Sequence, residues 1–230
     1  DSALDVIAQN PDSLNLYGMA FHSNIGKASE IANTHFPAFI YLENINHKKM
    51  LIEKVNAKTE ILSGKDELHN LLNDPNIDVI ISAISGFSGL ETTLMAAKTG
   101  KTILLANKES IVVAGDIILP LAKEFNTKVI PIDSEHNAIF QCLVGEKAKE
   151  DVSKIIITAS GGPVGNKSLD QLGMVTKEQA LKHPNWEMGS KISIDSATLV
   201  NKCLELIEAK YLFGLNEKLF KLVVHPQSIV

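Results

Sequence analysis

The chain of 230 residues holds only two cysteines, Cys142 and Cys203, with no patterned spacing between them. They are too few for a disulfide scaffold and point to a reducing compartment. Aromatic residues are scarce, at 5% with Trp186 the single tryptophan, so the core has to come mainly from Ile, Leu, Val and Ala. Basic charge is in deficit: 22 Lys and Arg stand against 27 Asp and Glu, a formal net charge of -5. A nucleic-acid partner needs a concentrated basic surface and is not expected. No apolar run reaches membrane-spanning length and no signal segment is visible, so no membrane partner is expected. Repeats and low-complexity segments are also missing. What is present is an ordinary globular composition, 45% hydrophobic and 21% charged, enough for one large domain or about one and a half smaller ones.

Both ends read as cut. Asp1 opens directly into a helical pattern, SALDVIAQNP, and Val230 stops inside an apolar strand, KLVVHPQSIV. A domain normally ends in a polar, poorly packed segment, so a piece of a longer protein is expected.

Short apolar runs alternate with amphipathic stretches. Strands are predicted at Leu14 to Phe21, Ala38 to Leu42, Glu60 to Leu62, Val79 to Ile84, Thr102 to Leu105 and Thr127 to Ile132. Helices are predicted between them, at Asn24 to His35, Ile45 to Asn56, Asp66 to Leu72, Leu90 to Lys98 and Ser110 to Phe125. This grammar predicts βαβ units around a mostly parallel sheet covered on both faces. After Gln141 it changes, with strands expected at Lys154 to Thr158, Lys191 to Ile194 and Leu219 to Val224, and a helix at Thr198 to Leu212 ended by Gly214. The reading is therefore α/β: a nucleotide-type domain over 1–133, then an α+β domain over 134–230.

Three constellations can carry chemistry. The first is PIDSEHNAIFQ, where a strand delivers Asp133, Ser134 and Glu135 at its carboxyl end. If the chain stays extended, alternation puts both carboxylates on one side, where they can share a cation that prefers oxygen ligands. The other reading is a helix beginning near His136 and capped by Asp133 or Ser134. In SATLVNKCLELIEA, Asn201 and Glu205 share a helix face beside Lys202. Glu205 offers a third hard ligand, and Asn201, Lys202, Ser160 and Ser196 offer donors suited to a phosphorylated substrate. A surface ion pair between Lys202 and Glu205, with Leu199, Leu206 and Ile207 as the buried stripe, is the plainer reading.

The second constellation lies at the carboxyl ends of the earlier strands, where parallel sheets bind ligands. It comprises Ser85 and Gly86, then Asn107, Lys108 and Glu109, and Ala20 with His22, Ser23 and Asn24, placed to meet a dinucleotide's ribose or its phosphate. Ser23 or Asn24 as a helix cap, and Lys108 as a surface lysine, remain open. The Gly-rich phosphate turn is absent. The third is HPNWEMG, in which Trp186 on a flap, with Gly189 as hinge, would exclude water from a substrate.

Together LLANKES, PIDSEHNAIFQ, ASGGP, HPNWEMGSKISIDSATLVNKCLELIEA and HPQSIV, in this order, resemble the 1-deoxy-D-xylulose 5-phosphate reductoisomerase family. The resemblance implies a Rossmann-like NADPH-binding domain followed by a catalytic domain, and a homodimer in the bacterial cytoplasm. It implies isomerisation of the sugar phosphate and its NADPH-dependent reduction to 2-C-methyl-D-erythritol 4-phosphate, in non-mevalonate isoprenoid biosynthesis, with Mg, Mn or Co. By the same resemblance, Asp133, Glu135 and Glu205 are the metal ligands and Lys108 approaches substrate and nicotinamide. Ser134 meets the substrate hydroxyls, Ser160, Ser196, Asn201 and Lys202 hold its phosphate, and His183, Trp186 and Met188 form the flap. The cofactor-side residues are Ala20, His22, Ser23, Asn24, Ser85, Gly86, Asn107, Glu109 and Gly189. Fosmidomycin, the family inhibitor, would chelate the metal. The family's Gly-rich turn would precede Asp1 and a helical domain would follow Val230, so the segment alone is expected not to turn over substrate. The alternative reading is an NAD(P)-dependent dehydrogenase of another small phosphorylated polyol, which has no need to concentrate three carboxylates. A regulatory or structural module descended from such an enzyme is a further alternative.

Overall fold

The computed structural model describes residues 2–145, 150–165, 167–182 and 189–227. The chain divides into two units, Asp1–Asp78 and Val79–Val230.

In the first unit, α1 (Ser2–Gln9) precedes β1 (Gly18–Phe21), α2 (Ile25–His35), β2 (Phe39–Leu42), α3 (Lys48–Ile52), β3 (Glu60–Leu62) and α4 (Lys65–Asn73). The strands lie in the order β1-β2-β3, all parallel, with Gly18 opposite Phe39 and Phe39 opposite Glu60. Parallel neighbours require crossovers, which α2 and α3 supply. The core is aliphatic: Ile25, Ala28 and Ala32 of α2 pack with Ile40 and Leu42 of the central strand, Leu51 and Ile61. Asn24 starts α2 by accepting a hydrogen bond from the Lys27 amide at 3.0 Å, satisfying an amide that has no partner in the helix.

The second unit continues with β4 (Val79–Ser82), α5 (Leu90–Ala96), β5 (Thr102–Leu105), α6 (Lys108–Glu124), β6 (Lys128–Pro131) and α7 (Ser134–Cys142). It goes on to β7 (Ile155–Ala159), α8 (Leu169–Leu172), α9 (Lys177–Leu181), α10 (Ser190–Ala197), α11 (Val200–Phe213) and β8 (Phe220–Val224). β4, β5 and β6 form a parallel sheet in that order, and β7 pairs in parallel with β8. A second core joins Ile155 and Ile157 of β7 to Ala209 and Phe213 of α11. Gly214 ends α11 in the left-handed conformation, at φ 62°.

Several boundaries and one element type differ from the sequence reading. The Leu14 to Phe21 run is strand only from Gly18, and Ile45 to Asn56 splits into a 3-10 turn and α3. Lys191 to Ile194 is not a strand: it lies inside α10. Four residues are too few to separate a period of 2 from one of 3.6. The strands are not all covered on both faces, because Val79 and Ile81 of β4 are 46% and 40% exposed.

Helices α6 and α11 run side by side in the same sense. Gly115 makes this approach possible, since a Cβ there would lie 2.8 Å from Tyr211 Cγ. α6 also bends at the preceding residue, Ala114. The pairing brings the first turn of α6 against the first turns of α11, and both carry charged side chains inward.

Candidate active site

The register of β5 and β6 explains how the site begins. Leu105 and Pro131 are paired neighbours at the carboxyl ends of the two strands. Lys108 follows Leu105 by three residues and Asp133 follows Pro131 by two, so both emerge at the same edge. Lys108 Nζ lies 2.6 Å from Asp133 Oδ2. Lys108 is 6% exposed, which rules out the surface-lysine reading.

Asp133 occupies the N-cap position of α7, and Ser134 and Glu135 form its first turn. The strand therefore does not run on to Glu135, and the helix starts two residues earlier than the capped alternative had it. The carboxylates still converge, because a helix start folds both toward α11. Oxygens of Asp133, Glu135 and Glu205 all lie within 4.8 Å of one another. Ser134 Oγ donates to Glu135 Oε2 at 2.7 Å.

α11 supplies the rest by burying a polar face. Asn201, Lys202, Glu205 and Glu208 are all buried, whereas Ile207, expected in the apolar stripe, is 41% exposed. Lys108 Nζ donates to Asn201 Oδ1 at 3.0 Å and to Glu205 Oε1 at 3.2 Å. Lys202 Nζ lies 2.7 Å from Glu205 Oε2 and pairs with Glu135. The Asn201 amide also donates to Glu205. The Lys202–Glu205 pair is thus part of a buried network, not a surface contact.

Three carboxylates face two ammonium groups. Burial pushes the Glu205 carboxyl above its ordinary range; Lys108 and Lys202 pull it back, Glu135 adds to the rise, and the net effect is upward. Burial also acts on Glu135, but there a hydrogen bond shared with Asp133 and the charge of Lys202 prevail and hold it at about 2. Desolvation opposes the charge of both lysines, yet the Asp133 and Glu205 carboxylates raise Lys108, and Glu205 with Glu135 raises Lys202. Three carboxylates against two ammonium groups leave a surplus of oxygen donors, which fits a hard divalent cation.

The loop after β7 borders α10. Gly162 has φ 67°, and a Cβ there would lie 2.5 Å from the Ser196 carbonyl oxygen. Only glycine permits this approach, which sets the Ser160-Gly161-Gly162 segment beside the end of α10. Ser196 is near the carboxyl end of α10.

Asn107 caps α6, accepting from the Ser110 amide at 2.9 Å and donating to the Gly86 carbonyl at 2.9 Å. It ties the loop after β4 to the loop after β5. Gly86 adopts φ 74° and Ser85 is exposed. Glu109 bonds Lys191 of α10 at 2.6 Å, and Lys191 also pairs with Asp195 at 2.6 Å. Ala20, His22, Ser23 and Asn24 belong to the first unit, exposed at or just beyond the carboxyl end of β1. His183, Trp186 and Met188 lie outside the described residues, and Gly189 is the N-cap of α10.

Two buried residues at the site were not singled out from the sequence, His136 and Glu208. Their signal was available: Glu208 follows Glu205 by three and so shares its face, and His136 adjoins Glu135.

Comparison with known proteins follows the same lines. A family model described as 1-deoxy-D-xylulose 5-phosphate reductoisomerase matches residues 1–115, and one described as the C-terminal domain of that enzyme matches residues 129–213. The 1-deoxy-D-xylulose 5-phosphate reductoisomerase of Phocaeicola vulgatus is 43% identical over 229 residues, covering 99% of this chain and 59% of the relative. That of Acinetobacter baylyi is 45% identical over 240 residues, covering 100% and 60%. A solved DOX-P reductoisomerase in complex with NADPH, fosmidomycin and magnesium is 41% identical, with a TM-score of 0.93 over 100% of this chain and 59% of its own. The enzyme from Zymomonas mobilis in complex with NADPH is 39% identical, with a TM-score of 0.88 over 100% of this chain and 59% of its own. The chain spans about 60% of the length of the curated relatives it matches.

Proposed function

The chain belongs to the 1-deoxy-D-xylulose 5-phosphate reductoisomerase family, and from that premise we propose that it carries the nucleotide, metal and substrate sites of such an enzyme. The whole protein would isomerise 1-deoxy-D-xylulose 5-phosphate and reduce the product to 2-C-methyl-D-erythritol 4-phosphate in non-mevalonate isoprenoid biosynthesis. The observation that carries this reading is the convergence of Asp133, Glu135 and Glu205 beside two buried lysines. A simple polyol dehydrogenase has no use for that convergence.

In this proposal Asp133, Glu135 and Glu205 hold Mg, Mn or Co. The ion supplies Lewis acidity to two adjacent substrate oxygens, and NADPH supplies the hydride. Lys108, held between Asp133 and Glu205, orients substrate and nicotinamide. Ser134 meets the substrate hydroxyls, while Ser160, Ser196, Asn201 and Lys202 take the phosphate, with a charged donor at its centre. His183, Trp186 and Met188, which lie outside the described residues, are proposed to meet the substrate. Ala20, His22, Ser23 and Asn24, then Ser85, Gly86, Asn107, Glu109 and Gly189, are the proposed cofactor-side residues. Roles divide near Asp133: nucleotide binding over 1–133, and metal and substrate binding over 134–230. The related structures with NADPH, magnesium and fosmidomycin support this assignment. No described helix is long and apolar enough to cross a membrane. A homodimer in the bacterial cytoplasm completes the proposal, and the free Cys142 and Cys203 are compatible with that compartment.

The test is turnover by the full-length protein with 1-deoxy-D-xylulose 5-phosphate and NADPH, with Mn2+ and with a chelator. The proposal expects a branched-chain polyol phosphate by NMR, formed only with metal. An unbranched product, or full activity under chelation, would instead favour a polyol dehydrogenase.

A further inference from the structure

His136 and Glu208 lie behind the carboxylate cluster and contribute no atom to the proposed cation site. Both are enclosed, at 0% and 1% exposure. Burying an ionisable pair costs free energy that only close pairing and hydrogen bonding offset. His136 follows Glu135 in the first turn of α7 and reaches across to α11 at two points. Its Nε2 lies 2.9 Å from the Glu205 carbonyl oxygen, and its Nδ1 lies 3.4 Å from Glu208 Oε2 and 4.0 Å from Asp133 Oδ1. A carbonyl only accepts, so Nε2 carries the proton of that bond. Nδ1 and Glu208 Oε2 then face each other as close polar atoms, and neither they nor Glu208 Oε1 has a hydrogen-bond partner among the described residues.

We propose that Glu208 is a positioning residue: by fixing the His136 ring against the Glu205 backbone, it sets the spacing of α7 and α11 and hence the distance between Glu135 and Glu205. This inference rests on the metal-site reading above and adds the device that preorganises it. The hydrogen bond to the Glu205 backbone and the close polar contact with Glu208, one turn apart on α11, together limit the rotation that the hydrogen bond alone would leave the ring. The cation would then meet ligands already in place, and outer groups that orient ligands in this way typically control metal affinity by about 10- to 100-fold. Asp133, His136 and Glu208 could themselves bracket an ion, their ligand atoms lying within 4.8 Å of one another. That arrangement is a distinguishable outcome of the test.

The experiment is Mn2+ titration of the full-length protein, followed by electron paramagnetic resonance, for the wild type and for Glu205→Gln, Glu208→Ala and Glu208→Gln, with NADPH affinity as the control for folding. The proposal expects one Mn2+ per chain, affinity lowered at least about tenfold in Glu208→Ala, and rescue to within about threefold by Glu208→Gln, which keeps a hydrogen-bonding group at Nδ1. If Glu208→Ala does not fold, His136→Phe keeps the ring volume, removes both polar contacts, and is expected to show the same loss of about tenfold. Wild-type affinity in Glu208→Ala, or in His136→Phe where that variant stands in, overturns the tether and leaves the metal site standing. Equal losses in both Glu208 variants overturn it in favour of charge. A second Mn2+ lost in Glu208→Ala overturns it in favour of an ion held by Glu208 itself. Failure of the metal-site reading looks different: Glu205→Gln would then bind Mn2+ as well as wild type.

Discussion

Helices α2 and α11 use the same geometry for opposite chemistry. α2 buries Ile25, Ala28 and Ala32 and turns Lys27 and Glu30 to solvent. α11 buries Ala209 and Phe213 toward its end, but over its first turns it buries Asn201, Lys202, Glu205 and Glu208 and leaves Val200 and Ile207 45% and 41% exposed. Hydrophobic burial alone cannot hold α11 with that face inward, because each buried charge costs several kcal/mol unless it is paired. The pairing comes from Lys108 on α6 and from Asp133 and Glu135 at the start of α7. A helix that turns charge toward its neighbours has been shaped by a site, and a helix that turns aliphatic side chains inward by a core.

Three lysines grade this contrast. Lys108→Ala removes a partner of Asp133 and of the buried Glu205, so the metal-free full-length protein should be destabilised by about 3–5 kcal/mol. Denaturant melts will measure it, and a loss below about 1 kcal/mol would mean that α11 is held in place without the network. Lys191→Met breaks a half-exposed pair with Glu109 and Asp195 and should cost about 0.5 kcal/mol. That effect has a pH signature. Burial acts upward on Glu109, but the Lys191 hydrogen bond prevails and lowers its pKa below the ordinary 4.5. The contribution is therefore fully present above pH 4.5 and lost as pH falls through the folded-state value, so wild type and Lys191→Met should converge in acid. Lys27→Ala, in α2, removes a solvent-exposed pair with Glu30 at 3.4 Å and should cost at most about 0.3 kcal/mol, diminishing further in salt.

The parallel α/β grammar was readable because strands buried by crossovers are short and apolar, and the bounds of β3 and β5 follow from the apolar runs themselves. Lys191 to Ile194 misled because its alternation is too short to specify a strand, and Gly189 in fact opens a helix there. The candidate site was legible in its residue types and not in its geometry. Asp133 and Glu135 come together through a helix start, not through strand alternation, and the inward turn of α11 depends on Lys108, 93 residues away from Asn201 in the chain. His136 and Glu208 each neighbour a candidate ligand in the sequence, but that proximity does not tell a buried polar side chain from a solvent-facing one. Only the packing of α7 on α11 does.

The central claim, that Asp133, Glu135 and Glu205 form one cation site, is tested most directly by anomalous diffraction at the manganese edge from crystals of the full-length protein soaked in Mn2+. The account predicts a single peak in contact with an oxygen of each of these three side chains, with Lys108 and Lys202 beside it. A peak elsewhere, or three carboxylates still bound only to the two lysines at saturating Mn2+, would contradict it.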